Sequence, residues 1–201
     1  ELTGDRVVEG SLKQPLGTDN VGHDNYSQIV FGARWALYVG LGAVFVSTVI
    51  ALAIGLTSGY FLGAFDAVMQ RVVDSIMALP ILVVLLALPT MISSMDLDGP
   101  LPFDESSITF FKLVLILGLL VGAAGSRVIR SAVISVRSLQ YVDAARALGA
   151  SDSRIMFRHV LPNIFGTLMV QATISLGTMI LAEAALSFLG FGVVDPSKPT
   201  W

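Results

Sequence analysis

Asp143-Ala-Ala-Arg-Ala-Leu-Gly149-Ala-Ser-Asp-Ser-Arg-Ile-Met-Phe-Arg-His159-Val-Leu-Pro162 is a polar, basic, helix-forming island between long apolar stretches. Ser138 has the chemistry of an N-cap, and Leu139–Leu148 are good helix formers apart from Tyr141 and Val142. Gly149 supplies the left-handed residue that ends such a helix. Ser151 is placed to cap a second helix, with Asp152 near its positive end, and Pro162 closes that segment. The reading is helix, bend, helix.

Everything around the island is oily. The chain has 201 residues, 54% of them hydrophobic and 13% charged, with mean hydropathy +0.79. A soluble domain carries about 25% charged residues. Trp35–Phe65, Ser75–Met95 and Val160–Ala182 contain no Asp, Glu, Lys or Arg. Each meets the requirement of roughly 20 apolar residues for a spanning helix. Ile108–Ser126 is a fourth candidate, with Lys112 near one end where a long side chain snorkels to headgroups. The expected architecture is therefore an all-α, polytopic membrane helix bundle. Its spans cover about 36–63, 75–95, 108–126 and 164–187, within a membrane domain at 35–201.

Charge distribution orients this bundle. Residues 1–34, 96–111 and 193–201 together hold four Lys/Arg and ten Asp/Glu, whereas 66–74 and 127–163 hold seven and four. By the positive-inside rule the 127–163 loop is cytoplasmic and both chain ends face outward. Residues 1–34 read as an extracytoplasmic loop and lead-in segment; they are acidic and lack the basic-then-apolar order of a signal peptide. An outward amino terminus needs an upstream span, and Asp195–Trp201 looks like the start of another outward loop. The expectation is a fragment lacking one span at each end. The absence of cysteine excludes disulfides and thiolate metal sites.

Along the chain, Gly55, Gly59 and Gly63 recur every fourth residue and are expected on one close-packing helical face, as are Gly118 and Gly122. Asp66–Asp74 reads as a turn between the first two spans. Pro80 and Pro89 predict kinks in the second span, which can shape a pathway or be inert. The acidic Met95–Ser107 segment is either a solvated loop or a contact for an incoming ligand or protein.

Ala144, Ala145 and Leu148 place a small or apolar face on the first short helix, which a groove on a soluble subunit could bury. Arg146, Arg154 and Arg158 could pair with partner acids or lipid phosphates. From the residues alone, an amphipathic hairpin lying on anionic lipid is an equal alternative.

The spacing D-A-A, three residues, Gly, nine residues, H-x-L-P resembles the "EAA" loop of bacterial ABC-importer permeases. Asp143 takes the Glu position, Ala144 and Ala145 follow, Gly149 is the glycine, and Leu161-Pro162 close it. Arg158-His159-x-Leu161-Pro162-Asn163 resembles the oligopeptide, dipeptide and nickel branch. So do Pro15–Asp19, Gly22, Asp24, Ser27 and Gly32–Arg34; Gly59–Phe61, Gly63, Asp66, Arg71, Asp74 and Pro80; and Glu183-Ala-x-Leu-Ser-Phe-Leu-Gly190-x-Gly192 with Pro199–Trp201. Three features depart from the branch. His23 and Gln28 stand where it usually has arginines, 95–111 is longer than usual, and small residues replace an aromatic shortly before Arg127.

The resemblance implies a transmembrane domain of the methionine-permease-like type with a cytoplasmic coupling helix, in a bacterial or archaeal inner or plasma membrane. The coupling residues it implies are Asp143, Ala144, Ala145, Leu148, Gly149, Arg154, Arg158, His159, Leu161 and Pro162, within a 139–162 loop that docks on an ATPase. The implied partners are a second permease subunit, two cytoplasmic ATPases, an extracytoplasmic substrate-binding protein and the bilayer; no nucleic acid is expected. The implied cargo is peptides or a related small solute, with nickel or metal chelates as the alternative.

No nucleophile–base pair, metal-ligand cluster or G-x-x-x-x-G-K-[ST] loop is present in the sequence, so the expected role is non-enzymatic, without cofactors, with ATP bound by partner chains. An ion-driven secondary transporter is a more distant alternative, since the spans show no convincingly placed midplane acid. Glu183 lies roughly 28 Å along a helix starting near Ile164, at about 1.5 Å per residue, which predicts an outer-vestibule position or a structural hydrogen bond. His23 beside Asp24 does not make a coordination set, and His159 reads as structural.

Overall fold

The computed structural model describes residues 15–18, 24–78, 80, 83–84, 87 and 105–188, with side chains of the last stretch from Phe110. These residues form helices: α1 (Asn25–Phe61), α2 (Gly63–Met77), α3 (Glu105–Arg137), α4 (Gln140–Ala147), the single turn α5 (Asp152–Ile155), a π turn (Met156–Val160) and α6 (Leu161–Phe188). Three helical stretches are long and apolar enough to cross a membrane: Asn25–Phe61, Phe110–Arg137 and Asp152–Phe188. Of the expected 75–95 span only 75–78, 80, 83–84 and 87 are described, with 75–77 as the end of α2, and of the acidic 95–107 loop only 105–107; His23, Pro89 and 189–201 lie outside the described residues.

Each rod is longer than its sequence span. Asp24 caps α1 by accepting from the Ser27 amide at 3.0 Å and its hydroxyl at 2.6 Å, so the Tyr26–Arg34 lead-in is helix continuous with the first span. At about 1.5 Å per residue α1 measures roughly 55 Å, well beyond a hydrocarbon core of about 30 Å. α3 likewise runs unbroken past Ser126 to Arg137. Large apolar side chains stay exposed along these rods, including Leu41, Phe45 and Val49 on α1, Leu115 on α3, and Val170, Ile174 and Leu181 on α6. Such an exterior suits lipid and not water.

Glycines set the packing of α1 on α3. A β-carbon on Gly55 would meet the Ser126 carbonyl oxygen at 2.7 Å, and one on Gly59 the Arg130 oxygen at 2.8 Å. Reciprocally, one on Gly118 would meet Val46 at 2.6 Å, and one on Gly122 the Ser47 oxygen at 2.9 Å. Both glycine motifs thus pack inside the chain. The paired positions advance together, Gly42 with Val114 through Gly59 with Val133, so the helices run parallel over roughly 25 Å. The end of α1 and the start of α3 therefore lie at opposite ends of the pair. α6 runs the other way: Gly40 of α1 faces Ile180, and Ala51 lies across from Leu168 and Gln171.

Gly63 departs from its expected place. α1 stops at Leu62, whose φ of 54° and ψ of −162° belong to a region used almost only by glycine; Gly63 follows at φ 66°. Gly63 therefore opens α2 instead of extending the α1 stripe, and nothing lies within 4 Å of its β-position. Asp66–Asp74, expected as a turn, is helical within α2.

Two apolar clusters fill the bundle. Val39, Ala43, Leu113, Leu117, Met179 and Leu186 form the one toward the Asp24 end. Tyr60, Ile129, Val133, Val142, Ile155, Met156 and Val160 belong to the other, at the opposite end. The polar island is seated on this second cluster.

Candidate functional site: a clamped polar elbow

α4 ends in a Schellman motif. The Gly149 amide bonds to the Arg146 carbonyl at 3.0 Å and the Ala150 amide to the Ala145 carbonyl at 3.1 Å. Gly149 has φ 81°, the left-handed residue its sequence position predicts. The start of α4 differs from expectation. Leu139 holds the N-cap position, and the Ser138 hydroxyl donates back to Ser135 O at 3.0 Å because α3 reaches Arg137. Ser151 does occupy the second N-cap, but without a side-chain capping bond; its hydroxyl faces that of Ser153 at 3.4 Å.

Pro162 does not close the second helix. Asp152–Phe188 is one helical rod interrupted only by the π turn, where the Leu161 amide reaches back to Met156 O. Proline lacks an amide proton and its ring crowds the carbonyl four residues earlier. A π turn placed immediately before it absorbs both faults without breaking the rod. The His159 carbonyl next to this turn accepts from Asn163 Nδ2 at 2.6 Å.

The expected apolar face of α4 divides in two. Val142 is fully buried and Ala145 packs half-buried beside it, so both belong to the cluster beneath. Ala144 is exposed, Leu148 is 89% exposed and Gly149 stands in open space. The outward surface is thus Tyr141, Ala144 and Leu148, with Phe157 also 62% exposed. Asp143 is exposed and pairs with Arg146 at 2.9 Å. Arg154, Arg158 and Pro162 are exposed, Leu161 packs against the cluster, and His159 is half-buried beside Tyr141 with ring centroids 6.4 Å apart.

Tyr60, which the sequence marks only as part of Gly59–Phe61 and without a role, joins the elbow to the bundle. Its hydroxyl donates to Asp152 Oδ1 at 2.7 Å, and its carbonyl accepts from Arg137 Nη1 at 2.7 Å. The Arg137 guanidinium also lies 5.9 Å over its ring. The Arg146 guanidinium stands beside the same hydroxyl, which with Asp143 and Asp152 holds that arginine even more firmly charged. One tyrosine at the end of α1 thereby touches α3, α4 and α5.

α2 is pinned alongside. Arg130 grips Asp66 in a two-pronged ion pair, with Nε to Oδ1 at 2.7 Å, and Ser58 donates to the same carboxylate. Gln70 donates to Ser58 Oγ at 3.2 Å, and Arg127 pairs with Asp74. The Arg130 hydrogen bond, aided by Ser58, holds the Asp66 carboxyl below its ordinary range although burial opposes it. Asp66 and Asp74, eight residues apart, share one face of a helix, the signal that a turn reading hid.

Glu183 is also relocated. It is 1% exposed, not in an open vestibule, and Oε1 accepts from Ser187 at 2.8 Å, the structural hydrogen bond that was its other expectation.

Parallel and antiparallel rods with apolar outer faces, joined at one end by a polar elbow, define an all-α, multi-pass membrane subunit. The chain belongs to the family of binding-protein-dependent transport system inner membrane components, which it matches over residues 51–197. It is 33% identical over 98% of its length to the dipeptide transport system permease protein of Alkalihalophilus pseudofirmus, covering 60% of that protein. It is 31% identical over 98% of its length to the glutathione transport system permease protein of Pectobacterium atrosepticum, covering 61%. With the oligopeptide transport system permease protein of Mycobacterium tuberculosis (strain ATCC 25618 / H37Rv) it shares 34% identity over 92% of its length, covering 59%. The chain thus spans about 60% of the length of the curated relatives it matches.

Proposed function

We propose that this chain is the permease part of an ATP-driven importer of peptides or a related small solute, and that Leu139–Pro162 docks it on a cytoplasmic ATPase. The observation that carries this reading is Leu148, an apolar side chain 89% exposed at the tip of a rigidly seated polar elbow. An apolar tip on an elbow that also exposes Asp143, Arg146, Arg154 and Arg158 suits a protein groove with its own charged rim. The Lys/Arg excess of 127–163 puts the elbow on the cytoplasmic side. The placement of the end of α1 and the start of α3 at opposite ends of the pair supports a span at 75–95.

In this mechanism the chain holds no nucleotide. Closure of two ATPase subunits moves both elbows of a permease pair, and the bundles rock between outward-facing and inward-facing states. An extracytoplasmic binding protein delivers the solute. The dipeptide, oligopeptide and glutathione names of the relatives support a peptide-like cargo.

Leu148→Asp tests the docking role, because that side chain is 89% exposed and belongs to neither buried cluster among the described residues. The ATPase should no longer co-purify with the mutant, and ATP-driven uptake should stop while insertion and thermal midpoint stay unchanged. An ATPase that stays bound would remove the docking role. Uptake that needs an ion gradient and no ATP would identify a secondary transporter. A thermal-shift screen of the binding protein against peptides and Ni²⁺ decides the cargo.

A further inference from the structure

Covalent connection ties the elbow to α3 through Leu139 and to α6 through the π turn. α1 has no such link, yet its last turn carries the residue on which the elbow is seated. Tyr60 is 4% exposed within the cluster of Val133, Val142, Ile155 and Met156. Its hydroxyl reaches Asp152, on the arm after Gly149, and its ring shares a buried cluster with Val142, on the arm before it. A contact with both arms across a bend fixes the angle of that bend. The bond to Asp152 spans 92 residues of sequence, so it reports on tertiary arrangement and not on local folding.

Beyond Tyr60 the backbone leaves the helix at Leu62 and Gly63, two successive residues with positive φ. A chain break of this kind is where a rigid element can pivot. α2, on the far side, is held to α3 by Arg130 and Arg127 and to α1 by the bonds of Asp66 and Gln70 to Ser58, so the pivot is bridged just before Tyr60.

We propose that Tyr60 is a positioning residue that makes α1 and the elbow move as one body, giving the docking event a second, non-covalent route into the bundle. The inference rests on the docking reading for its driving force, but the joint itself is a property of this chain. α1 then carries the displacement, through its close glycine contacts, along the whole length of α3. The Tyr60–Asp152 bond is the element whose loss would let the elbow swing without α1.

The test uses the full-length permease assembled with its partner subunits in nanodiscs, with spin labels at Thr57→Cys on α1 and Ser153→Cys on the elbow. Residues 1–201 hold no cysteine, and any cysteine elsewhere in the assembly is replaced by serine before labelling. In the otherwise wild-type protein the label distance should stay narrow and identical without nucleotide and with trapped ATP–vanadate. Tyr60→Phe keeps the ring and its burial but removes the hydroxyl. It should shift the distance only in the ATP–vanadate state, with the ATPase still bound and the thermal midpoint nearly unchanged. Asp152→Ala, which removes the acceptor, should reproduce the shift, and the double substitution should add nothing to it.

A tyrosine that only stabilised the fold would lower the midpoint in both states without creating a nucleotide-dependent distance. That result, or an unchanged distance in Tyr60→Phe, overturns the joint. Failure of the docking reading looks different: the ATPase would remain bound to Leu148→Asp whatever happens at Tyr60.

Discussion

Gly55 of α1 lies so close to α3 that a β-carbon on it would stand 2.7 Å from the carbonyl oxygen of Ser126, a distance no real β-carbon tolerates. The obstacle is backbone, which cannot swing aside as a side chain does. Gly59, one turn on, faces the Arg130 carbonyl in the same way at 2.8 Å. Gly166 and Gly177 of α6 have nothing within 4 Å of their β-positions.

Alanine at Gly55 or Gly59 should therefore force α1 and α3 apart and cost about 1–3 kcal/mol, the range of overpacked cores. Gly166→Ala and Gly177→Ala should leave the isolated subunit unchanged or raise its stability by up to about 1 kcal/mol, since alanine is the better helix former. Thermal midpoints of the four variants in one detergent check both halves. Equal destabilisation at all four sites would mean that close approach is not what the α1 glycines provide.

The parallel packing behind this prediction was only half legible in the sequence. Period-four glycines announce a close face, and both motifs do pack on a helix, but the pattern does not say which glycine drops out. Gly63 drops out because Leu62 turns the chain first, and nothing about a leucine advertises φ 54°. The bend at Gly149 was readable because glycine is the residue such a cap demands. Span lengths were less so: charge-free runs mark what lipid will accept, while Asp24 and Arg137 end the helices outside those runs. The Tyr60 joint is the least legible, because residues 92 positions apart leave no local pattern.

Leu62 offers a direct check on that turn. Its backbone lies in a region costing a non-glycine residue about 1–3 kcal/mol. Leu62→Gly removes that strain and loses only a half-buried side chain. The midpoint should hold or rise, against the usual penalty for placing glycine in a membrane protein. A loss of several degrees would show that the leucine side chain matters more than its backbone.

The Asp66–Arg130 pair makes stability depend on acid. The folded carboxyl titrates below its ordinary value of 3.8, first because Arg130 hydrogen-bonds to it. A depressed carboxylate contributes stability above its unfolded pKa and loses it as pH falls through the folded one. Wild type should thus lose stability as pH drops below about 4, where the unfolded group takes up its proton. Asp66→Asn should be weaker at pH 7 by about 1–3 kcal/mol, as expected for hydrogen bonds to charged groups, with a flatter acid limb. Denaturation series at pH 7 and at steps from pH 4 down to about pH 3 give both quantities; parallel curves would deny the pair its role.

Gly149 separates backbone geometry from space. A β-carbon there meets nothing within 4 Å, so any substitution fits sterically outside its own residue. Its φ of 81° is nonetheless hostile to branched side chains and tolerable to asparagine. Gly149→Asn should keep the elbow and its seat on Val142 and Ile155, whereas Gly149→Val should distort the cap. Protease digestion of the 140–155 segment reads the difference, fast for valine and near wild type for asparagine. Equal protection of the two variants would show that the left-handed cap does not hold the elbow.

Glu183 poses the opposite problem, a polar group where the surroundings are apolar. One oxygen accepts from Ser187 at 2.8 Å, and Oε2 has no hydrogen-bond partner among the described residues. Keeping a full charge on a buried, half-satisfied carboxylate is far more costly than keeping a neutral group of the same shape. Glu183→Gln preserves the acceptor for Ser187 and abolishes the charge. If the residue serves only to anchor that hydrogen bond, the glutamine variant should match or exceed wild type in midpoint and transport alike. Glu183→Leu, which abandons the bond to Ser187, should be the poorer folder. Should glutamine fold well and yet transport nothing, the carboxyl group itself takes part in the cycle, and a structural role no longer suffices.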